Sequence, residues 1–461
     1  MREPAASGWV HDRLSEFADR TCLVTAERTI QYRELIRTVE AYADRFQGAG
    51  LTAGTTVFLL ATYSFEGIAA LLALHRIAAM VVPAADLAPE ELERRKRVVP
   101  FQWEIHAGGD ELECRSTGTT DSDGTPALIA SLRAAGRPGL ILFSSGSTGN
   151  PKAMLHDFDR ILESYRGRRP HTTRVLPILR FDHIGGLNTL FHGLFSGSTL
   201  ILPPDLRPET VARWIESERV QVLPASPSFL NLLLMSRTRH GRDWSSLRLI
   251  TYGTEAMPEA LLRRLRQAFP HVRFAQAFGS SETGIARTVG KSSDSLLFRF
   301  HDPATEYRIV DGELWMRSRA QALGYLDGDE SAFTSDGWFR TGDRVEETQD
   351  GFLRILGRTD RVINVGGQKV HPLEVESVLL EMPEIVSCRV RSDPHPLTGE
   401  IVSADIAPAG PVEPAEMRAR VRRHCRDRLA AFKVPAKVHI TTVDALRSHT
   451  ASPHLNPTGI P

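Results

Sequence analysis

Residues 140–152 read LILFSSGSTGNPK, a buried apolar strand running into a loop dense in hydroxyls and glycines and closed by a lysine. Ser144, Ser145, Ser147 and Thr148 supply hydroxyl oxygens, while Gly146 and Gly149 let backbone N–H groups approach an anion closely. Lys152 adds a positive charge where phosphate oxygens would lie. The spacing differs from the GxxxxGK[ST] of a Walker loop, so a generic P-loop nucleotidase is not implied. A flexible Ser/Gly turn accounts poorly for the lysine. The chain has only six, at positions 96, 152, 291, 369, 433 and 437, against abundant arginine.

Outward from this loop, apolar runs alternate with helical periodicity. Tyr32–Phe46 and Glu66–His75 read as helices, while Thr56–Ala61, Met80–Val82, Val220–Leu223 and Leu247–Tyr252 read as buried strands. Strands separated by helices of this length predict an α/β fold, with a large N-terminal domain of doubly wound mixed sheets. After about residue 305 the punctuation becomes antiparallel, with Asp311-Gly312 and Asp350-Gly351 between short strands. The pattern resets at Gly357–Arg361, which predicts domains of 1–359 and 360–461, the second a small mobile α+β unit. A length of 461 residues agrees, since a single core stops growing near roughly 250–300 residues.

Composition excludes several classes of function. The 56 basic and 56 acidic residues balance, which leaves no broad field for nucleic acid or an anionic membrane. The four cysteines are scattered and form no CxxC pair, so neither a zinc cage nor a disulfide framework is suggested. The residues Met1–Pro4 lack the apolar core expected of a signal peptide, and the most apolar stretch, 67–82, is too short for a membrane span. A cytoplasmic protein is expected. Arg94–Arg97 and Arg418–Arg428 read as solvated helix faces.

Further motifs follow in a fixed order. Phe143–Lys152 fits the signature (Y/F)(T/S)SG(S/T)TGxPK at every position. Gly253-Thr254-Glu255 follows a strand, and Phe278-Gly279-Ser280-Ser281-Glu282-Thr283 matches YGxTE with two substitutions. Thr341-Gly342-Asp343 matches TGD, and Gly357–Arg361 precedes Gly366-Gly367-Gln368-Lys369. On these motifs the chain resembles the adenylate-forming superfamily, in its acyl-CoA ligase branch, from about Tyr32 to Val443. That resemblance implies ATP-dependent activation of a carboxylic acid, with a fatty acid expected, through an acyl-adenylate, then transfer to CoA or to a carrier-protein phosphopantetheine.

The resemblance also implies roles. Thr148 and Glu282 would hold Mg²⁺, oxygen donors suiting a hard cation. Phe278 would stack on adenine beside Gly253, Thr254, Glu255, Gly279, Ser280 and Ser281. Asp343 would accept the ribose hydroxyls and Arg358 would contact ribose or phosphate. Gly366 and Gly367 would meet the pantetheine arm, and His183 would stand at the mouth of an acyl pocket lined by Phe181, Ile184 and Leu187. Asp182 lies where amino-acid-activating relatives keep a carboxylate.

One departure matters. The family closes on a motif like PxTxSGK, but here Thr450-Ala451-Ser452 is followed by Pro453 and His454, and no lysine follows Lys437. That lysine stabilises charge developing in adenylation, and losing such a contact typically slows the step about 10²–10³-fold. Three readings stand: a full ligase using another cation such as Lys433 or Arg447, a half-enzyme that only thioesterifies preformed acyl-AMP, or a non-catalytic nucleotide-binding protein.

Overall fold

The apolar runs on either side of the hydroxyl loop form the centre of a seven-stranded sheet. A computed structural model of the chain describes residues 8–85, 87–108, 112–118, 125–145, 151–236, 241–327, 331–443 and 445–446. The strand order is Gly324–Tyr325, Pro151–Asp157, Gly139–Ser145, Met80–Ala84, Thr56–Ala61, Trp103–Ala107 and Leu112–Ser116. The four strands from Gly139–Ser145 to Trp103–Ala107 are mutually parallel, and antiparallel strands close both edges. Continuous burial along Thr56–Ala61 and Met80–Ala84 is what a parallel sheet covered on both faces requires.

A second sheet of seven strands is mainly parallel and includes Val222–Ala225, Leu249–Tyr252 and Arg273–Gln276. Two helices that are apolar nearly all round, Phe65–Arg76 and Ile184–Ser196, contribute to one core cluster together with residues of both sheets. Such helices can only be stable when covered on every side. Ser64 caps the first by accepting from the Gly67 N–H. Gly197, in the left-handed region, ends the second.

A six-stranded antiparallel sheet follows, running from Thr288–Gly290 to Leu353–Arg358. Then a 3₁₀ turn at Thr359–Arg361 leads into a separate five-stranded sheet with helices Pro372–Leu379 and Pro414–Arg426. The core cluster of this last part runs from Ile363 to Val438 and borrows one buried side chain from the large part, Ala260. Among the described residues, no helix is long and apolar enough to cross a membrane.

Candidate active site

The strand Gly139–Ser145 delivers the hydroxyl loop to the carboxyl end of the central sheet, where ligands of open α/β sheets bind. Its neighbour Pro151–Asp157 returns antiparallel, with Ser144 opposite Lys152 and Phe143 opposite Ala153. Gly146, Ser147, Thr148 and Gly149 lie outside the described residues.

From Lys152 a chain of contacts can be followed around the site. The Lys152 ammonium lies 5.4 Å over the ring of Tyr325, a cation–π arrangement. The Tyr325 hydroxyl donates to Glu282 Oε1 at 2.9 Å. Glu282 sits in the turn between the paired strands Phe278–Ser280 and Gly284–Ala286, with the Ser280 N–H bonded to Thr283 Oγ1. Gly279 is required there, since a Cβ would stand 2.1 Å from the Gly284 carbonyl. Ala277, preceding that hairpin, donates its N–H to the Tyr252 carbonyl, and a Cβ on Gly253 would approach the Ala277 carbonyl at 2.8 Å. Thr254 is held at a φ of 68°, a conformation that strains a β-branched residue. Its methyl comes within 3.5 Å of the Cβ position of Gly185, at the start of the helix that His183 precedes. Asp182 and Arg95 lead back to Phe143, and the ring closes.

Tyr325 was not legible as a site residue. Its signal is the pairing of Gly324–Tyr325 with the lysine-bearing strand, Tyr325 opposite Met154, which only the fold reveals. His156 is also new. Wholly buried, it has its imidazole pushed down to about 4 by burial, so it is neutral and donates from Nδ1 to the Ala320 carbonyl at 3.2 Å. Ala322, two residues on, donates its N–H to the Glu282 carbonyl. The strand carrying Lys152 thus anchors the segment that supports Glu282.

Asp343 stands opposite Arg358 on neighbouring strands, with Arg358 Nη1 at 3.7 Å from its Oδ1. Burial pushes the Asp343 carboxyl up to about 6, with Asp360 and Glu313 adding to the effect and Arg358 opposing it. Arg358 also donates to the Thr341 carbonyl at 2.6 Å. Glu255 is solvent-exposed, and desolvation by the protein around it raises its carboxyl. It accepts from the Ser228 N–H and hydroxyl. Gly366 and Gly367 have φ of 57° and 88° and turn the hairpin between Ile363–Val365 and Gln368–Val370.

Several expectations change. Phe278 is 8% exposed and stacks on Phe298, centroids 5.5 Å apart. Phe181, Ile184 and Leu187 are not pocket wall: all three are buried in the core, Phe181 edge-on against Tyr63. Arg95 is not on a solvated face. It is 6% exposed and bonds the Asp182 carboxylate, which Arg180 grips with two nitrogens at 2.9 and 2.8 Å. That carboxylate is therefore committed and cannot receive a substrate amine. Lys433 is held by both oxygens of Glu374, at 2.6 and 2.7 Å.

A single carboxylate such as Glu282 suits Mg²⁺, which is commonly bound through one or two carboxylates plus substrate phosphates. Its Oε1 accepts a hydrogen bond from the Tyr325 hydroxyl. Among the described residues there is no group of three His, Cys, Asp or Glu side chains able to hold a metal by themselves.

Known proteins share this architecture. The chain is 28% identical to the indoleacetate–CoA ligase of Aromatoleum aromaticum, covering 94% of this chain and 93% of that one. It is 26% identical to the 2-succinylbenzoate–CoA ligase of Bacillus licheniformis, covering 94% and 95%. An anthranilate CoA ligase solved with anthranoyl-AMP superposes with a TM-score of 0.77 at 21% identity, over 94% and 93% of the two chains, and shares the fold. The model of the AMP-binding enzyme family matches residues 10–99 and 103–326, and that of the family's C-terminal domain matches 374–451. With most of its length so matched and its site residues drawn into one ring, the chain belongs to the AMP-binding enzymes, the adenylate-forming superfamily.

Proposed function

We propose that this chain is an acid–thiol ligase that activates an aromatic carboxylic acid as its acyl-adenylate and passes the acyl group to CoA. The observation that carries this reading is the closed ring from Lys152 through Tyr325, Glu282, Gly253 and Thr254 to His183. The ring links the strand Gly139–Ser145, which leads into the hydroxyl loop, to the segment before the helix Ile184–Ser196.

In the first half-reaction an acid oxygen attacks the α-phosphorus of ATP and pyrophosphate leaves. Lys152 and the loop hydroxyls bind phosphate oxygens, and Asp343 with Arg358 holds the ribose. Glu282 and Thr148 would hold Mg²⁺, which supplies charge neutralisation at the phosphates. In the second half-reaction a thiol sulfur attacks the acyl carbon and AMP leaves. Residues 360–461 would turn about Thr359–Arg361 between the two and bring Gly366 and Gly367 to the pantetheine arm. A carrier-protein thiol is an alternative acceptor of the same chemistry.

One point favours an aromatic acid over a fatty one: the relatives above are named for indoleacetate, 2-succinylbenzoate and anthranilate. An amino-acid substrate is disfavoured by the commitment of Asp182 to two arginines. A second reading is a half-enzyme limited to thioesterification, which the lack of a lysine after Lys437 and the pairing of Lys433 with Glu374 favour.

Pyrophosphate exchange with a panel of aromatic and straight-chain acids, run beside thioester formation from synthetic acyl-AMP, tests the proposal. Exchange driven by an aryl acid, together with thioester formation, is the expected result. Thioester formation without exchange would establish the half-enzyme, and silence in both assays would overturn the catalytic reading.

A further inference from the structure

The carboxylate of Asp182 is fully buried between two guanidinium groups, and nothing in the two half-reactions uses it. Arg95, on the helix Pro89–Val98, donates from Nη1 to Asp182 Oδ2 at 3.2 Å and from Nε to Glu91 Oε1 at 3.1 Å. Arg180 donates from Nε to Oδ1 and from Nη2 to Oδ2, and Nη2 also donates to the Ala85 carbonyl at the end of a central strand. The Arg95 guanidinium lies 5.0 Å over the ring of Phe143, the residue before the hydroxyl loop. On its other side Asp182 is joined in sequence to His183, whose Nε2 is 3.9 Å from Oδ1. A charged pair, Asp182 with Arg95, is therefore spent in the interior, with Arg180 half-buried beside it, in a place where apolar packing would serve stability as well or better. A network so costly to bury is better explained by what it holds in place.

We propose that Asp182, clamped by Arg95 and Arg180, is a positioning residue that fixes His183 at the acid-binding side of the site and ties it to the strand feeding the phosphate loop. The acid and the nucleotide must meet with reacting atoms in contact, and the brace spans their two supports: Phe143 through Arg95, and His183 through Asp182. The clamp rests on the reading of this cleft as an acid-activating site, but its test separates the two.

The charged groups facing His183 are Asp182 and Arg180 of its own segment and Arg95 from the neighbouring helix. Burial lowers its imidazole most, the two arginines lower it further, and Asp182 opposes them. Two substitutions should thus push His183 in opposite directions. Asp182→Asn removes the anion and lowers the titration of His183 further. Arg95→Met keeps the length of the side chain, removes a cation and raises it. Loosened packing alone would move both variants the same way.

The experiment follows the His183 imidazole by NMR titration in the full-length protein and both variants, using His183→Gln to assign the resonance. In parallel it measures acid and ATP kinetics in pyrophosphate exchange, or acyl-AMP kinetics if exchange is silent. The expected result is opposite shifts of His183, with kcat/KM for the acid or acyl-AMP falling about 10–100-fold in Asp182→Asn through misplacement, and AMP affinity by calorimetry little changed. Shifts in the same direction, no shifts, or equal losses toward acid and AMP would overturn the clamp. If Asp182→Asn does not fold, Arg95→Met decides: an unmoved or lowered His183 titration refutes the proposal. Failure of the wild-type protein to bind AMP or an acyl-adenylate mimic would instead refute the functional reading.

Discussion

At the scale of single residues, the site is tuned by burial. Asp343 can accept two ribose hydroxyls only when ionised, and burial has moved its titration to about 6. AMP affinity is therefore expected to be level above pH 7 and to fall as pH drops through 6 toward 5, which calorimetry across that range checks. Asp343→Asn should weaken AMP at pH 7.5 by about 1.5–3 kcal/mol, the worth of a hydrogen bond to a charged group, and flatten the pH dependence. The sign for the ligand-free protein is opposite. A carboxyl raised above its unfolded value favours folding at low pH, and that advantage is lost as pH rises through about 6. The same Asn variant should therefore melt higher at pH 8. Tyr325→Phe keeps the ring beneath Lys152 but removes the hydrogen bond donated to Glu282. It should slow pyrophosphate release by about tenfold, consistent with the worth of one hydrogen bond to a charged group, and shift the Mg²⁺ dependence of ATP binding, while thioester formation from acyl-AMP changes little.

At the scale of elements, glycines set how closely the site's walls approach. A Cβ on Gly186 would stand 1.8 Å from the Arg180 carbonyl, a backbone atom that cannot move aside alone. Gly186→Ala should therefore force the start of the helix Ile184–Ser196 away from Arg180, costing about 1–3 kcal/mol in overpacking. The Tyr63 hydroxyl bond to the Gly186 carbonyl, 2.6 Å long, would go with it. Thermal melting measures the loss, and a fall in acid affinity larger than the fall in AMP affinity would place the disturbance on the acid side. Elements of this kind were legible in the sequence because their signals are local. Buried runs such as Thr56–Ala61 and the apolar helix Phe65–Arg76 need only their own residues to be read. The loop from Phe143 to Lys152 was legible for the same reason. Arg95 and Tyr325 were not, because their partners, Asp182 and Glu282, are 87 and 43 residues away and the contacts exist only once the sheets have formed.

At the scale of the whole molecule, the reset at Gly357–Arg361 is the signal from which a boundary at 359/360 is expected, but the chain pattern carried no sign of how the small part docks. Side chains from several elements make that contact. Ala260 enters the small part's core, Asn231 Nδ2 donates to the Val386 carbonyl, and Arg263 lies 3.9 Å from Glu381. A footprint of this kind suits reversible docking. The residue just beyond the glycine hairpin also comes near the large part. His371, just beyond the strand Gln368–Val370, has its imidazole lowered by burial and by Arg344, the neighbour of Asp343. Because His371, just past the hairpin, lies close to Arg344, we assign this arrangement to the thiol step of the proposed cycle. Ala260→Glu would bury an unpaired carboxylate in that contact, at a cost of at least about 2 kcal/mol. Since 1.4 kcal/mol is a factor of ten, thioester formation from synthetic acyl-AMP should fall by more than about tenfold. Pyrophosphate exchange, which would use the other arrangement, should hold steady or rise as the docked population shrinks. Exchange falling in step with thioester formation would show that both half-reactions use one arrangement and that residues 360–461 do not turn between them.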